Sequence, residues 1–308
     1  MHPTNSSIQP PPSSQISYLR RWLLAARPKT LPAAVAPVLI GCGVAIGAHG
    51  FQLGPAAAAL AIALLLQVGA NLVNDVGDFQ QGTDTSERLG PLRVTQAGLL
   101  APRQVWLGSA VVFGAAGLLG IYLALVSSWA VLLVGAACIL GAVIYTSGPL
   151  PLSRVGLGEV FVFLFFGIVA VCGTAYVQLH GVPISAILGG CAAGVLIVNI
   201  LVVNNVRDLL TDRKAGRKNI PVKYGRPAGE IEFLTMQAAA FLIPVGVWLT
   251  GTGSAWVMLS WLSLPLAVGL MRRFHATPAG RGLNLILAQT AQFALVYSAL
   301  LAVGLALP

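Results

Sequence analysis

Nine runs of mostly apolar residues fall at 30–48, 56–76, 104–126, 129–146, 159–179, 183–206, 231–250, 254–271 and 283–306. Each is close to the roughly 20 residues that carry a helix across a hydrocarbon core. Lipid offers backbone amides no partner, so such runs must close their hydrogen bonds internally, as helices. The pattern predicts an all-α polytopic membrane protein of about nine transmembrane helices around a central cavity. Composition agrees: 56% of the 308 residues are hydrophobic and 9% charged, against about 25% charged in a soluble domain. That excludes a soluble enzyme, a disulfide scaffold and a disordered chain. Cys42, Cys138, Cys172 and Cys191 sit singly in apolar runs and read as small core residues.

Residues 1–19 are rich in Pro, Ser and Gln at their start and read as a disordered tail before a single domain, 20–308. Arg20, Arg21, Arg27 and Lys29 follow. The other basic residues lie in 77–103, at Arg154, in 207–230 and in 271–282, whereas the connections near 49–55, 127–128, 180–182 and 251–253 have none. Nine spans place these two sets on opposite faces. Basic loops stay in the cytoplasm, so the N-terminus is expected inside and the C-terminus outside the bacterial inner membrane. The net charge of +9 then reports topology and an anionic substrate. No nucleic-acid partner is expected.

All nine acids lie at or near cytoplasmic helix ends. Topology does not explain this, because acids contribute little to it. The segments NLVNDVGD (71–78) and NNVRD (204–208) coincide at an offset of 130, with Asn74 on Asn204 and Asp78 on Asp208. They form a weak parallel repeat, its two motifs expected to face each other across a pocket. Asn204, Asp208 and Asp212 share one helix face at i, i+4 and i+8. Asn74 and Asp78 do the same, with Asp75 beside them and Asp84 in the loop. Two acidic faces repel unless a cation separates them. Mg²⁺ suits such a site, since it is held by a few carboxylates, water and substrate phosphates. Arg207, Arg213, Lys214 and Lys218 would then donate to outer diphosphate oxygens. An ion or proton relay is the competing reading, but relay acids belong near mid-bilayer and these lie at one end.

The segments NDVGDFQQGTDTSERLGPLRVTQAGLL, YTSGPLPLSRVGLGEVFVFLFFGIVAVCGTAYVQ and NNVRDLLTDRKAGRKNIPVKYG resemble the UbiA superfamily of intramembrane aromatic prenyltransferases. Within it they resemble the branch that prenylates 1,4-dihydroxy-2-naphthoate. The resemblance covers roughly residues 20–306. It implies a polyprenyl diphosphate donor, a membrane-lipid setting, Mg²⁺ as two ions, and C-prenylation of the naphthoate with loss of its carboxylate, giving demethylmenaquinone. Asn74, Asp78, Asn204, Asp208 and Asp212 match its metal-diphosphate positions, and Asp78, Asp208 and Asp212 are the expected catalytic acids. Gly82 stands where the superfamily often has a third Asp, and the nearest acid is Asp84. Arg27, Lys29, Tyr145 and Glu159 are expected near the acceptor. Another acceptor, such as 4-hydroxybenzoate or homogentisate, would use the same metal site.

Overall fold

The structure, a computed structural model, describes residues 16–82, 89–147 and 151–308. The longer helices are α1 (Tyr18–Ala26), α2 (Pro32–Gly47), α3 (Leu53–Gln80), α4 (Pro102–Val126) and α5 (Ala130–Thr146). After a single turn, α6 (Leu152–Val155), come α7 (Gly158–Leu179) and α8 (Ile184–Arg207). Two short helices, α9 (Leu209–Lys214) and α10 (Ile220–Tyr224), precede α11 (Arg226–Leu249), α12 (Ala255–Ala276) and α13 (Leu283–Ala306).

Every expected apolar run is helical. Among the described residues, seven helices are long and apolar enough to cross a membrane. The pair α1–α2, with the single 3₁₀ turn Pro28–Thr30 between them, makes an eighth if it counts as one span bent by 52°. α5 is apolar but has 17 residues. Helix α1 begins inside the expected tail and Ile16 is buried; residues 1–15 lie outside the described residues.

The bend after α1 has a local cause. Pro28 disfavours helical geometry at Arg27, which adopts a left-handed φ of 52°. Asn71 of α3 holds the bend by donating to the Ala26 carbonyl at 3.0 Å and to Thr30 Oγ1 at 2.9 Å. The chain therefore enters the bundle beside the first Asp motif.

α8 is the centre of the bundle. It packs on α2, α7, α11 and α13, and Val195–Val198, Val202, Val203 and Val206 are buried. Glycines allow the close approaches: a Cβ at Gly194 would meet Phe163 at 2.6 Å, and one at Gly43 would collide with the Ala302 carbonyl oxygen. In α11, Pro244 lacks the amide that would serve the Ala240 carbonyl. The buried Tyr297 hydroxyl of α13 donates to that carbonyl instead. These contacts fix α8 and α13 as a rigid wall behind the second motif.

Candidate active site

A cavity of about 1020 Å³ lies between α2, α3, α4, α5, α7 and α8. It extends along α5 from Ala130 to Thr146, roughly 24 Å at the helical rise. Ile62, Leu66, Val134, Ile139, Phe165 and Val169 make much of it apolar. The polar end carries Asn74, Asp78, Asn204, Asp208 and Asp212, so the two motifs meet there as the repeat predicts. Arg27, Lys29, Tyr145 and Glu159 also line the cavity. Asp84 lies outside the described residues.

Arginines stand where the spacing calls for positive charge. Arg93 Nη2 lies 2.5 Å from Asp78 Oδ2, with both side chains buried. Arg217 lies between the motifs, with Nη2 3.7 Å from Asp78 and Nε 3.4 Å from Asp212. Neither arginine is among the basic residues picked from the sequence. Arg207 is, but it is turned inward: it donates to Asp208 Oδ1 at 2.9 Å, to Asp208 Oδ2 at 2.5 Å and to Asn204 Oδ1 at 2.7 Å. It therefore aims two expected metal ligands. Arg213, Lys214 and Lys218 are exposed and do not line the cavity.

Local chain geometry explains this sorting. Gly216 follows α9 with φ +70°. Its N–H donates to the Arg213 carbonyl at 3.2 Å, and the Arg217 N–H donates to the Asp212 carbonyl at 3.0 Å. That is the two-bond helix stop that favours glycine. It returns the chain so that Arg217 reaches the cavity, while Arg213 and Lys214 stay on the outer side of α9. Gly82, at φ +65°, ends α3 in the same conformation.

The remaining acids are held individually. Asn219 donates to Asp212 Oδ2 at 2.8 Å and caps α10 through Val222 N–H. Burial outweighs the pull of Arg217 and Asn219 and raises the Asp212 carboxyl to about 6. Asp75 is fully buried and does not line the cavity. Its two oxygens accept the backbone N–H groups of Val94 and Thr95 at 3.1 and 2.9 Å, and Arg27 lies 3.7 Å away. Those bonds anchor the segment that carries Arg93. Asn74 accepts the Thr146 hydroxyl, and Glu159 accepts Asn205 Nδ2 at 2.9 Å.

Among the described residues, no three acidic, His or Cys side chains converge as a self-sufficient metal cage. The donors at this end are hard oxygens on two facing walls. That set fits a divalent cation whose remaining ligands come from a substrate phosphate.

An all-α membrane bundle with paired Asn/Asp motifs at the mouth of an apolar cavity defines the class, and residues 34–282 match the model of the UbiA prenyltransferase family. The chain belongs to that family. It is 35% identical over 286 residues to the 1,4-dihydroxy-2-naphthoate octaprenyltransferase of Mycobacterium tuberculosis, covering 93% of this chain and 97% of that one. The protein of the same name from Haemophilus influenzae is 33% identical, with 93% and 96% covered. A UbiA homolog from Archaeoglobus fulgidus, solved bound to GPP and Mg²⁺, shares the fold at a TM-score of 0.66 and 18% identity, covering 91% of this chain and 97% of that one. The apo UbiA homolog from Aeropyrum pernix gives 0.69 at 17% identity, with 86% and 96% covered.

Proposed function

We propose that this protein transfers a polyprenyl group from polyprenyl diphosphate to 1,4-dihydroxy-2-naphthoate, with decarboxylation, giving the quinol form of demethylmenaquinone. The Mycobacterium tuberculosis and Haemophilus influenzae relatives, each matched over 93% of this chain, are named 1,4-dihydroxy-2-naphthoate octaprenyltransferases. The observation that carries the chemistry is Arg217 between Asp78 and Asp212, at the polar end of a long apolar cavity.

Asn74, Asp78, Asn204, Asp208 and Asp212 would hold Mg²⁺, as two ions, against the diphosphate. Held there, Mg²⁺ would supply positive charge to the departing diphosphate. Arg93 and Arg217 take over part of that charge, and Arg207 keeps Asn204 and Asp208 aimed. The allylic C–O bond breaks with its electron pair going to the diphosphate. A ring carbon of the naphthoate supplies the pair for the new C–C bond, and the carboxylate leaves as CO₂. Apolar walls keep water from the allylic cation. The isoprenoid tail lies along α5, and Arg27, Lys29, Tyr145 and Glu159 bound the acceptor's space. The protein sits in the bacterial inner membrane with its N-terminus in the cytoplasm and its C-terminus outside.

Competition between the naphthoate and 4-hydroxybenzoate at equal concentration tests the acceptor. The prenylated naphthalene product should dominate. Exclusive use of 4-hydroxybenzoate would overturn the acceptor and leave the diphosphate site standing.

A further inference from the structure

The Arg207 guanidinium is 2% exposed and spends three of its bonds on Asn204 and Asp208. A fourth goes to a residue in neither motif: Nη1 donates to Asn284 Oδ1 at 3.0 Å. The other end of that amide is used as well, since Asn284 Nδ2 donates to the Leu89 carbonyl at 2.9 Å. Leu89 opens the stretch that leads to Arg93 and lines the cavity. One side chain thus touches the ligand set of the second motif and the segment behind the first.

The two bonds fix the amide's sense. Reversed, its NH₂ would face a guanidinium and its oxygen would face a carbonyl. An acceptor and a donor are both required, so Asp would satisfy Arg207 and repel Leu89. Asn284 stands in the first turn of α13. That helix packs tightly on α2, and Leu283 beside Asn284 is fully buried. A polar group on such a wall holds its partners more tightly than one on a loop.

We propose that Asn284 is a positioning residue for prenyl transfer. It aims Arg207 at Asn204 and Asp208, and it sets that group in register with the 89–95 segment carrying Arg93. This rests on the reading of Asn204 and Asp208 as metal-diphosphate ligands.

The test uses the full chain with Asn284→Ala and Asn284→Asp. Two readouts are taken: KM for geranyl diphosphate, Mg²⁺ and the naphthoate, and the rise in Tm on adding Mg²⁺ with geranyl diphosphate. Asn284→Ala should raise KM for the diphosphate and Mg²⁺ about 10-fold, the scale of one lost hydrogen bond to a charged group, and Asn284→Asp should raise both through the lost Leu89 bond. The naphthoate KM should hold, and the ligand-induced rise in Tm should shrink. A merely structural role would lower the unliganded Tm and leave the ratio of KM values alone, which overturns the proposal. Wild-type behaviour of Asn284→Asp would also overturn it, by removing the Leu89 half. Asp208→Asn serves as the control. If that variant keeps the full ligand-induced rise, the metal reading itself fails. If it loses the rise while Asn284→Ala keeps it, only the role of Asn284 fails.

Discussion

Arg93 and Asp78, fifteen residues apart in the chain, meet at 2.5 Å with both side chains buried. The first motif's acid is thus already paired within the protein. Removing one partner of such a pair strands a buried charge, at a cost on the scale of 3–5 kcal/mol, roughly. Asp78→Ala should therefore lower Tm and reduce prenyl transfer at least about 100-fold. Adding Arg93→Met should restore much of the Tm and none of the activity. Thermal melts of the single and double variants check this; an unchanged Tm for Asp78→Ala would contradict the pairing.

Asp75 and Asp78 should separate experimentally. Asp75 accepts two backbone N–H groups with its two oxygens. An Asn there keeps one acceptor and turns its NH₂ against the other amide. Asp75→Asn should lower Tm and reduce activity about 10-fold, with the Mg²⁺ concentration for half-maximal rate unchanged. Asp78→Asn should shift that concentration upward. A Mg²⁺ titration of both variants decides between anchor and ligand.

Arg217 reaches both motifs, and a fork is what allows it. Lys offers one compact charge in place of a planar set of donors. Arg217→Lys should raise KM for the prenyl diphosphate by about 10-fold and Arg217→Ala by more, with Arg213→Ala close to wild type. Equal effects at Arg213 and Arg217 would contradict the sorting that Gly216 produces.

Orientation is tested by labelling single cysteines in a background lacking the native four. Gly54 and Gly251 are poor sites: a Cβ at Gly54 would meet Tyr122 Oη at 2.5 Å, and Gly251 has φ +66°. Leu53 and Thr250 are exposed neighbours at the same helix ends. Cysteines there should react with an impermeant reagent outside sealed cells, and one at Ala215 should not.

The helices were readable because lipid demands long apolar runs, and the Asn/Asp faces because helical spacing is fixed. The choice among basic residues was not. Arg213, Lys214, Arg217 and Lys218 all carry the same charge, and only the left-handed turn at Gly216 sends Arg217 inward. That stop is visible in the sequence as a glycine after the last basic pair of a short helix. Asp75 looked like its neighbour Asp78, yet its partners lie 19 and 20 residues away in a loop. Asn284 gave no local signal, since both its partners come from distant segments.

The most direct measurement is the mass of the product formed by the purified chain in lipid vesicles from geranyl diphosphate and 1,4-dihydroxy-2-naphthoate. With Mg²⁺, a geranylated naphthoquinol lacking the carboxylate should accumulate, and chelation or Asp208→Asn should reduce it at least about 100-fold. Product formation at an equal rate without divalent metal, or no naphthalene product while another aromatic acceptor is prenylated, would contradict the account.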